Sequence, residues 1–340
     1  MLDGKEGAFA GEAVMRLHTR LNERLGIEHP ILLAPMGVMS GGILAAAVSN
    51  SGGLGIVGGG YGDAEWLEQQ FAAAGNARVG CGFITWSMAQ NPKLLEQVLA
   101  KRPAALMLSF GEVEPHASRI RAQGIPLICQ AQGMRYVREA VDAGADIIVA
   151  EGCEAGGHSG YRGTFTLVPE AADYLAKHSP DTILVAAGGV GDGRGLAAAL
   201  MLGAEGVLVG TRFVASKESE APEGFRRAII GADGDSTIKS NSVDVARKRY
   251  WPNPEFVVRV LKNSFVGKWH GQERELEKSI EVENERFWSA FRTGDADNSG
   301  VLMGEVSGVI HDAPPAAQIV ENMIAQACQR LGEGSGYVLH

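Results

Sequence analysis

Short apolar segments separated by helical patterns recur along this chain of 340 residues, and this repetition limits the fold more than any other feature. Each segment is short and strand-like in composition. Most are joined by a helical pattern, such as residues 135–143, which end at Gly144. Strands that alternate with helices are expected to run parallel. The eight predicted strands are residues 31–34, 54–57, 79–83, 105–109, 127–130, 147–150, 183–187 and 206–209.

Eight strand–helix units favour one α/β architecture, the (β/α)₈ TIM barrel. Such a barrel takes about 250 residues, and the units here follow one another at close to the spacing that it needs. The competing architecture is a doubly wound sheet, which would carry the GxGxxG fingerprint after its first strand. The residues after the first strand read APMGVMSGG, which lacks that spacing. We therefore expect the barrel.

Composition indicates which partners to expect. The 31 basic and 40 acidic residues leave a net charge of -9, which offers no electrostatic attraction to nucleic acid or to an anionic membrane. Residues 30–62 carry no charge and are long enough for a membrane span. Pro35 and several glycine pairs divide them, however, into the strand–helix–strand pattern of a buried parallel sheet. Small molecules are the expected partners, and a homodimer is compatible with the sequence.

Two further observations concern location and metals. The four cysteines form no CxxC pair, which argues against a disulfide framework or a structural zinc site. The first residues, MLDGKEGAFAGEAVMRL, do not read as a signal sequence. Residues 295–300 imitate the start of a calcium loop, but Val306 stands where an EF-hand needs a carboxylate. We expect a cytoplasmic protein with no metal site.

The pattern changes after the eighth strand, where charged residues and helical periodicity increase. Helices are predicted over residues 223–230, 255–263 and 273–288, and residues 316–331 form an apolar-periodic helix that would close the barrel. We therefore expect a barrel made of residues 15–215 and 310–335. Residues 216–309 are expected to form a helical subdomain that covers the substrate site.

The segment EGCEAGGHSG, residues 151–160, is the clearest candidate for chemistry. It follows the sixth predicted strand, and barrel enzymes place their active sites at the carboxyl ends of the strands. Its glycines allow the backbone to approach a ligand closely, and His158 supplies a group that titrates near neutral pH. His158 by itself could be an ordinary turn histidine. Cys153 is interpreted as passive, because no second histidine follows it at a telling spacing.

Two neighbouring loops are rich in glycine at the same expected rim. Gly188 and Gly189 follow the seventh strand, and Gly210 and Thr211 follow the eighth. These are the loops in which TIM barrels commonly bind phosphate through backbone N–H groups. A single glycine pair is often only a tight turn. Two such loops beside the His158 segment predict a phosphate-bearing cofactor.

Together these motifs resemble the nitronate monooxygenase family, formerly called 2-nitropropane dioxygenases. The resemblance rests on APMGVMSGG, EGCEAGGHSG, AAGGVGDGRGL, LVGTRF and the late segment GDADNSGVLMGEVSGVI, and it extends over nearly the whole chain. The same superfamily includes flavin-dependent enoyl-acyl carrier protein reductases and NADH:quinone reductases. The resemblance implies an FMN-dependent TIM-barrel oxidoreductase that uses O₂ to convert alkyl nitronates, and neutral nitroalkanes after loss of a proton, into carbonyl compounds and nitrite.

The resemblance also implies roles for individual residues. His158 would lie near the reactive edge of the flavin and act as base or hydrogen-bond donor, a role that suits an imidazole. Residues proposed to lie beside the isoalloxazine or elsewhere against the cofactor are Ala34, Pro35, Met36, Gly37, Gly82, Gln130 and Glu151. Residues proposed to surround the ribityl phosphate are Gly156, Gly157, Gly188, Gly189, Gly210 and Thr211.

Two positions depart from the usual family pattern. Glu151 stands where many members have glutamine, and Gly82 stands where many have asparagine. An ionised Glu151 near the flavin would disfavour the negative charge of the reduced ring unless the carboxyl is protonated or paired. This departure is compatible with a lowered flavin potential or with a different substrate.

Two other functions stay open at this point. One is an NAD(P)H-dependent flavin reductase of quinones or of enoyl-acyl carrier protein, which would share the His158 loop and the phosphate-binding glycines. The other is a phosphate-binding barrel with no redox role.

Overall fold

The computed structural model describes residues 16–338. The predicted start of the barrel at residue 15 and most of the amino-terminal segment examined for a signal sequence lie outside these residues. The described residues contain eleven strands. They are β1 Ile31–Leu33, β2 Ile56–Gly58, β3 Gly80–Ile84, β4 Leu106–Ser109, β5 Leu127–Ala131, β6 Ile147–Glu151, β7 Gly157–Ser159, β8 Ile183–Ala187, β9 Val207–Val209, β10 Thr237–Lys239 and β11 Val257–Leu261.

Eight of these strands form a parallel ring. Their order is β1-β9-β8-β6-β5-β4-β3-β2, so each strand lies beside its neighbours in the barrel sequence. The ring closes between the first two strands, where Leu33 N donates to Leu54 O at 2.9 Å and Leu54 N donates to Ile31 O at 3.0 Å. All eight predicted strands are present, and the (β/α)₈ barrel is confirmed.

The barrel strands are apolar because both of their faces are buried. In β6, Ile148 and Ala150 belong to the cluster that includes the flanking helices, whereas Ile147 and Val149 belong to the cluster inside the ring. Successive side chains of a strand point to opposite faces, so a ring covered by helices needs apolar residues at nearly every position. This explains the charge-free stretch at residues 30–62.

The described residues also contain sixteen α-helices. They are α1 Arg20–Leu25, α2 Gly42–Asn50, α3 Ala64–Ala74, α4 Thr85–Met88, α5 Lys93–Ala100, α6 Glu114–Ala122, α7 Met134–Asp142, α8 Thr164–His178, α9 Gly193–Met201, α10 Thr211–Val214, α11 Glu223–Gly231, α12 Ser242–Ala246, α13 Ser264–Trp269, α14 Glu273–Lys278, α15 Ile280–Thr293 and α16 Ala316–Glu333. Short 3₁₀ helices cover Gly37–Met39, Gly234–Ser236, Glu305–Val309 and Gly334–Tyr337.

The last long helix, α16, completes the outer layer. It packs against α2, which follows the first barrel strand, and against α9, which precedes the last one. Its buried residues include Ile319, Val320 and Met323, which lie on one face at helical spacing. The predicted closing helix over residues 316–331 is therefore present.

A second, antiparallel sheet joins the His158 segment to the region after the barrel. Its strand order is β10-β11-β7, with Val258 opposite His158 and Arg259 opposite Gly157. The prediction of a helix over residues 255–263 is wrong, because β11 occupies most of that segment. The description of residues 216–309 as helical is likewise incomplete, and residues 157–159 form a strand rather than a free loop. The division of the chain into a barrel and a subdomain at these boundaries stays a prediction.

The strand β11 alternates half-buried and buried residues, as expected for a strand that covers one face of a core. Its partner β7 is only three residues long and lies about a hundred residues earlier, so local periodicity does not reveal the pairing. Within residues 16–338, no helix is long and apolar enough to cross a lipid bilayer.

Candidate active site

His158 is held at the carboxyl-terminal mouth of the barrel by backbone pairing. It is the middle residue of β7, and both its neighbours pair with β11. Its side chain is only 7% exposed. The imidazole therefore has a defined position between the barrel and the second sheet.

A buried carboxylate contacts His158 from helix α12. Asp244 Oδ2 lies 2.7 Å from His158 Nε2, and the other carboxylate oxygen, Oδ1, accepts a hydrogen bond from Arg247 Nη2 at 2.5 Å. All three side chains are largely buried. Neither Asp244 nor Arg247 was among the predicted site residues. Only the tertiary structure brings them to the histidine, from a position some eighty-six residues later in the chain.

The environment favours the uncharged form of His158. Burial lowers the pKa of His158 below its ordinary value, the contact with Asp244 opposes this effect, and the positive charges of Arg247 and Lys239 add to it. Burial alone would raise the pKa of Asp244, but the hydrogen bond from His158 and the charge of Arg247 more than offset it, so the Asp244 pKa is lowered. At neutral pH the pair is therefore a neutral imidazole beside a carboxylate.

An indole ring covers one face of the histidine. The Trp251 and His158 rings stack with centroids 3.5 Å apart and planes inclined by 17°. Trp251 Nε1 donates to Tyr61 Oη at 3.1 Å, which connects residues 216–309, here called the second unit, to the loop after β2. Phe110 packs edge-on against Trp251 with centroids 5.0 Å apart. These contacts restrict rotation of the imidazole and exclude water from one of its faces.

Sequence reasoning also missed an aromatic cluster that packs around Trp251 at the mouth of the barrel. Tyr61, Trp86 and Phe110 follow β2, β3 and β4, and the Tyr61 and Trp86 rings contact each other. Phe110 has a φ of 61°, a conformation that costs a bulky residue free energy and is found where other contacts impose it. An aromatic residue shortly after three consecutive strands was the signal available in the sequence.

Glu151 is buried at the end of β6 among amide side chains. Gln132 Nε2 donates to Glu151 Oε2 at 3.2 Å, and the nearby Gln130 amide also favours the ionised carboxyl group. Gln130 Oε1 in turn accepts from Ser109 Oγ at 2.9 Å. Burial raises the Glu151 pKa to about 7, although these amides and the charge of Lys239 act in the opposite direction. Both protonation states of Glu151 are therefore populated near neutral pH.

The glycine loops after β8 and β9 present free backbone donors. Gly188 and Gly189 have φ values of 93° and 75°, which glycine adopts readily. In the part of the chain that the structure describes, the N–H groups of Gly188, Gly189 and Gly210 donate no hydrogen bond. Adjacent unpaired N–H groups of this kind form an anion-binding concavity.

Other predicted site glycines have close neighbours within the protein. A Cβ at Gly82 would lie 2.4 Å from Pro35 Cγ, and a Cβ at Gly156 would lie 2.6 Å from the backbone of Met303 and Gly304. Gly37, by contrast, faces open space. The close approaches explain why glycine stands at positions 82 and 156 without reference to a ligand.

Two more predicted residues lie where the first and last barrel strands meet. A Cβ at Gly210 would lie 3.3 Å from Met36 Sδ and 3.6 Å from Ala34 Cβ. Thr211 Oγ1 accepts a hydrogen bond from Gly304 N at 3.0 Å, which joins the late segment to this rim. Gly157, the first residue of β7, is buried and directly precedes His158. The structure thus brings the predicted residues to one end of the barrel.

Comparison with known proteins identifies the family. The profile of the nitronate monooxygenase family matches residues 18–79 and 84–326, which include every predicted site residue except Gly82. The chain belongs to the nitronate monooxygenase family. It is an oxidoreductase, and the alternative of a barrel with no redox role is wrong.

The relatives of this chain are named for different activities. The chain is 31% identical to the nitronate monooxygenase of Neurospora crassa, over 89% of this chain and 90% of that protein. It is 27% identical to the (3aS,4S,5R,7aS)-5-hydroxy-7a-methyl-1-oxo-octahydro-1H-indene-4-carboxyl-CoA dehydrogenase of Mycobacterium tuberculosis, over 95% of this chain and 100% of that protein. The solved structure of FabK from Thermotoga maritima superposes with a TM-score of 0.83 at 29% identity, over 95% of this chain and 100% of that chain.

The nitronate monooxygenase family implies a flavin cofactor, and the rim fits one. A flavin nucleotide needs donors for its phosphate, and the N–H groups of Gly188, Gly189 and Gly210 are free to donate. A Cβ at Gly189 would meet only Glu154 Cβ, at 3.9 Å, so the space above this loop is open. The residues present are therefore compatible with the group that the family implies.

From the raised pKa of Glu151 we predict how the free energy of unfolding changes with pH. A carboxyl group whose pKa is higher in the folded protein than in the unfolded chain stabilises the fold while it is protonated. Its contribution to the free energy of unfolding is complete below the ordinary pKa. The contribution is lost as pH rises through the pKa of the folded protein. Between about pH 5 and about pH 8, the free energy of unfolding of the wild type should fall relative to that of Glu151→Gln by on the order of 2 kcal/mol.

Urea unfolding of both proteins across this pH range measures the difference. Glu139→Gln, which changes an exposed carboxyl group on α7, serves as the control. Parallel pH profiles for the wild type and Glu151→Gln would show that burial does not perturb Glu151.

Proposed function

We propose that this chain is an FMN-dependent nitronate monooxygenase that oxidises alkyl nitronates with O₂ to carbonyl compounds and nitrite. The observation that carries the proposal is His158, a buried and uncharged imidazole fixed at the barrel mouth of a nitronate monooxygenase family member. The aromatic surroundings suit a small organic substrate, since they exclude water from the reacting groups.

Different residues of the chain would bind the cofactor and transfer the proton. Gly188, Gly189, Gly210 and Thr211 would hold the FMN phosphate, and the bound flavin would supply the electron-transfer chemistry. His158 would remove the α-proton of a neutral nitroalkane, because an uncharged imidazole is ready to accept a proton. Pre-formed nitronates have already lost this proton and would not need that step.

The remaining site residues have proposed contacts with the cofactor. Residues 34–37 would lie beside the flavin ring, with Gln130 and Glu151 also near it. Gly156 and Gly157 would lie near the phosphate. Gly82 and Gly156 permit the close packing described above, and their contact with FMN stays a prediction.

The expected partners and location follow from the same assignment. A small-molecule substrate and O₂ are consistent with a monooxygenase family. All four cysteines are free thiols in the structure, in keeping with the proposed cytoplasmic location. A homodimer stays a prediction for sedimentation or light scattering to test.

The structural similarity to FabK favours a second candidate. It is an NAD(P)H-dependent flavin reductase of quinones or of enoyl-acyl carrier protein. Both candidates use the same cofactor, so cofactor binding does not distinguish them.

Turnover by the purified holoenzyme distinguishes the two functions. With propionate 3-nitronate and O₂ we expect nitrite release and oxygen uptake without added NAD(P)H, because the nitronate itself is the electron donor. Steady NADH oxidation with a quinone or a crotonyl thioester, together with no nitrite, would establish the second candidate instead.

The proposed phosphate site predicts a selective loss of FMN affinity in Gly189→Ala. Alanine at a positive φ strains the backbone and moves the N–H group away from its present direction. We expect FMN affinity to fall about tenfold, which corresponds to about 1.4 kcal/mol, whereas riboflavin, which lacks the phosphate, should bind the variant and the wild type alike.

Titration of the apoprotein with both ligands, followed by flavin fluorescence, provides the measurement. Gly124→Ala is the matched control, because Gly124 also has a positive φ and open space around it but lies in the loop between α6 and β5. An equal effect of the two substitutions on FMN would contradict the assignment.

Replacement of His158 tests proton removal. His158→Ala should retain FMN but lose about a hundredfold or more of its turnover on neutral nitroalkanes, with a smaller effect on pre-formed nitronates. Steady-state rates on both substrate forms, measured at saturating O₂, report this ratio. If both substrates lose activity equally, His158 serves in binding or charge stabilisation rather than as a base.

A further inference from the structure

We propose that Asp244 is the positioning residue of the site: it fixes the tautomer of His158 so that Nδ1, and not Nε2, receives the substrate proton. This inference rests on the proposed function for its catalytic consequence. The tautomer itself is a property of the protein and is tested without any reaction.

The hydrogen bond between the two residues determines which nitrogen carries the proton. An ionised carboxylate only accepts hydrogen bonds, so the Nε2 atom that lies 2.7 Å from Asp244 Oδ2 must be the protonated one. In a neutral imidazole the other nitrogen then has a free lone pair. Among residues 16–338, the bond to Asp244 through Nε2 is the hydrogen bond that the His158 ring makes, which leaves Nδ1 available to a substrate.

Arg247 keeps Asp244 in the form that this role needs. Its guanidinium group donates to Asp244 Oδ1 and is itself largely enclosed, with its side chain 13% exposed. The arginine and aspartate charges cancel, so a neutral His158 completes a cluster with no net charge. Loss of the carboxylate charge alone would leave the buried guanidinium uncompensated.

Trp251 supplies the second constraint on the ring. Stacking at 3.5 Å restrains the plane of the imidazole, while Asp244 restrains its direction within that plane. Two contacts from the second unit thus orient His158, which lies in the connection between β6 and α8 of the barrel. General-base catalysis depends on such orientation because proton transfer needs hydrogen-bond geometry.

The substitution Asp244→Asn should reverse the tautomer. Arg247 donates to the side-chain oxygen, so the asparagine carbonyl is expected to face Arg247 and its NH₂ group to face His158. The NH₂ group can only donate, so Nε2 becomes the acceptor and the proton moves to Nδ1. A comparable aspartate-to-asparagine change in the serine protease triad leaves the geometry intact but imposes the wrong tautomer.

The direct measurement is ¹⁵N NMR of histidine-labelled protein, with the His158 signals assigned by their absence from His158→Ala. We expect protonated Nε2 in the wild type and protonated Nδ1 in Asp244→Asn. Asp244→Glu restores a carboxylate and should restore protonated Nε2. The wild-type spectrum suffices even if Asp244→Asn does not fold, because a proton on Nδ1 there would overturn the proposal.

Activity provides the second readout. Asp244→Asn should lose about a hundredfold of its turnover on neutral nitroalkanes, with a much smaller loss on pre-formed nitronates. Glu283→Gln is the matched control, because Glu283 is also a buried carboxylate paired with cations in the second unit but does not contact His158. It should leave the tautomer unchanged and show no such difference between the two substrate forms.

The outcomes separate the two proposals. Equal losses on both substrate forms, or an unchanged tautomer in Asp244→Asn, would overturn the positioning role. A wild-type enzyme that turns over neither substrate form but shows the expected tautomers would overturn the proposed function and leave the role of Asp244 in place.

Discussion

Backbone pairing between β7 and β11 is the interaction on which the rest of the site depends. It attaches a barrel loop to the second sheet and places His158 opposite Val258. Because Asp244 and Trp251 both belong to the same second unit, this pairing also brings their side chains to the imidazole. A barrel loop alone would leave His158 free to rotate, whereas the three-stranded sheet gives it a defined direction.

The charged side chains near the paired strands β7 and β11 are buried, and their charges nearly cancel. Asp244 and Arg247 neutralise each other beside an uncharged His158, and Glu151 lies among amides with a pKa of about 7. Burial disfavours any unpaired charge, so each of these groups is either paired or able to become neutral. Such an arrangement suits a site that exchanges protons, since small changes in the surroundings alter which group carries one.

The barrel could be predicted because its evidence is local. Each of the eight strands is a short apolar segment, and their repetition with helical patterns between them determines the closed parallel ring. The glycine loops after β8 and β9 were found for the same reason. The strand β11 and the partners Asp244 and Trp251 were not found, because their roles arise from contacts between segments far apart in the chain.

The sequence by itself determined the architecture of the barrel, the rim on which function lies and the histidine at that rim, since these follow from strand period, loop position and residue type. Tertiary structure alone decided the environment of that histidine. The basicity of an imidazole, its tautomer and the exclusion of water depend on burial and on neighbours a few ångströms away. Those neighbours come from a sheet pairing that no local pattern encodes.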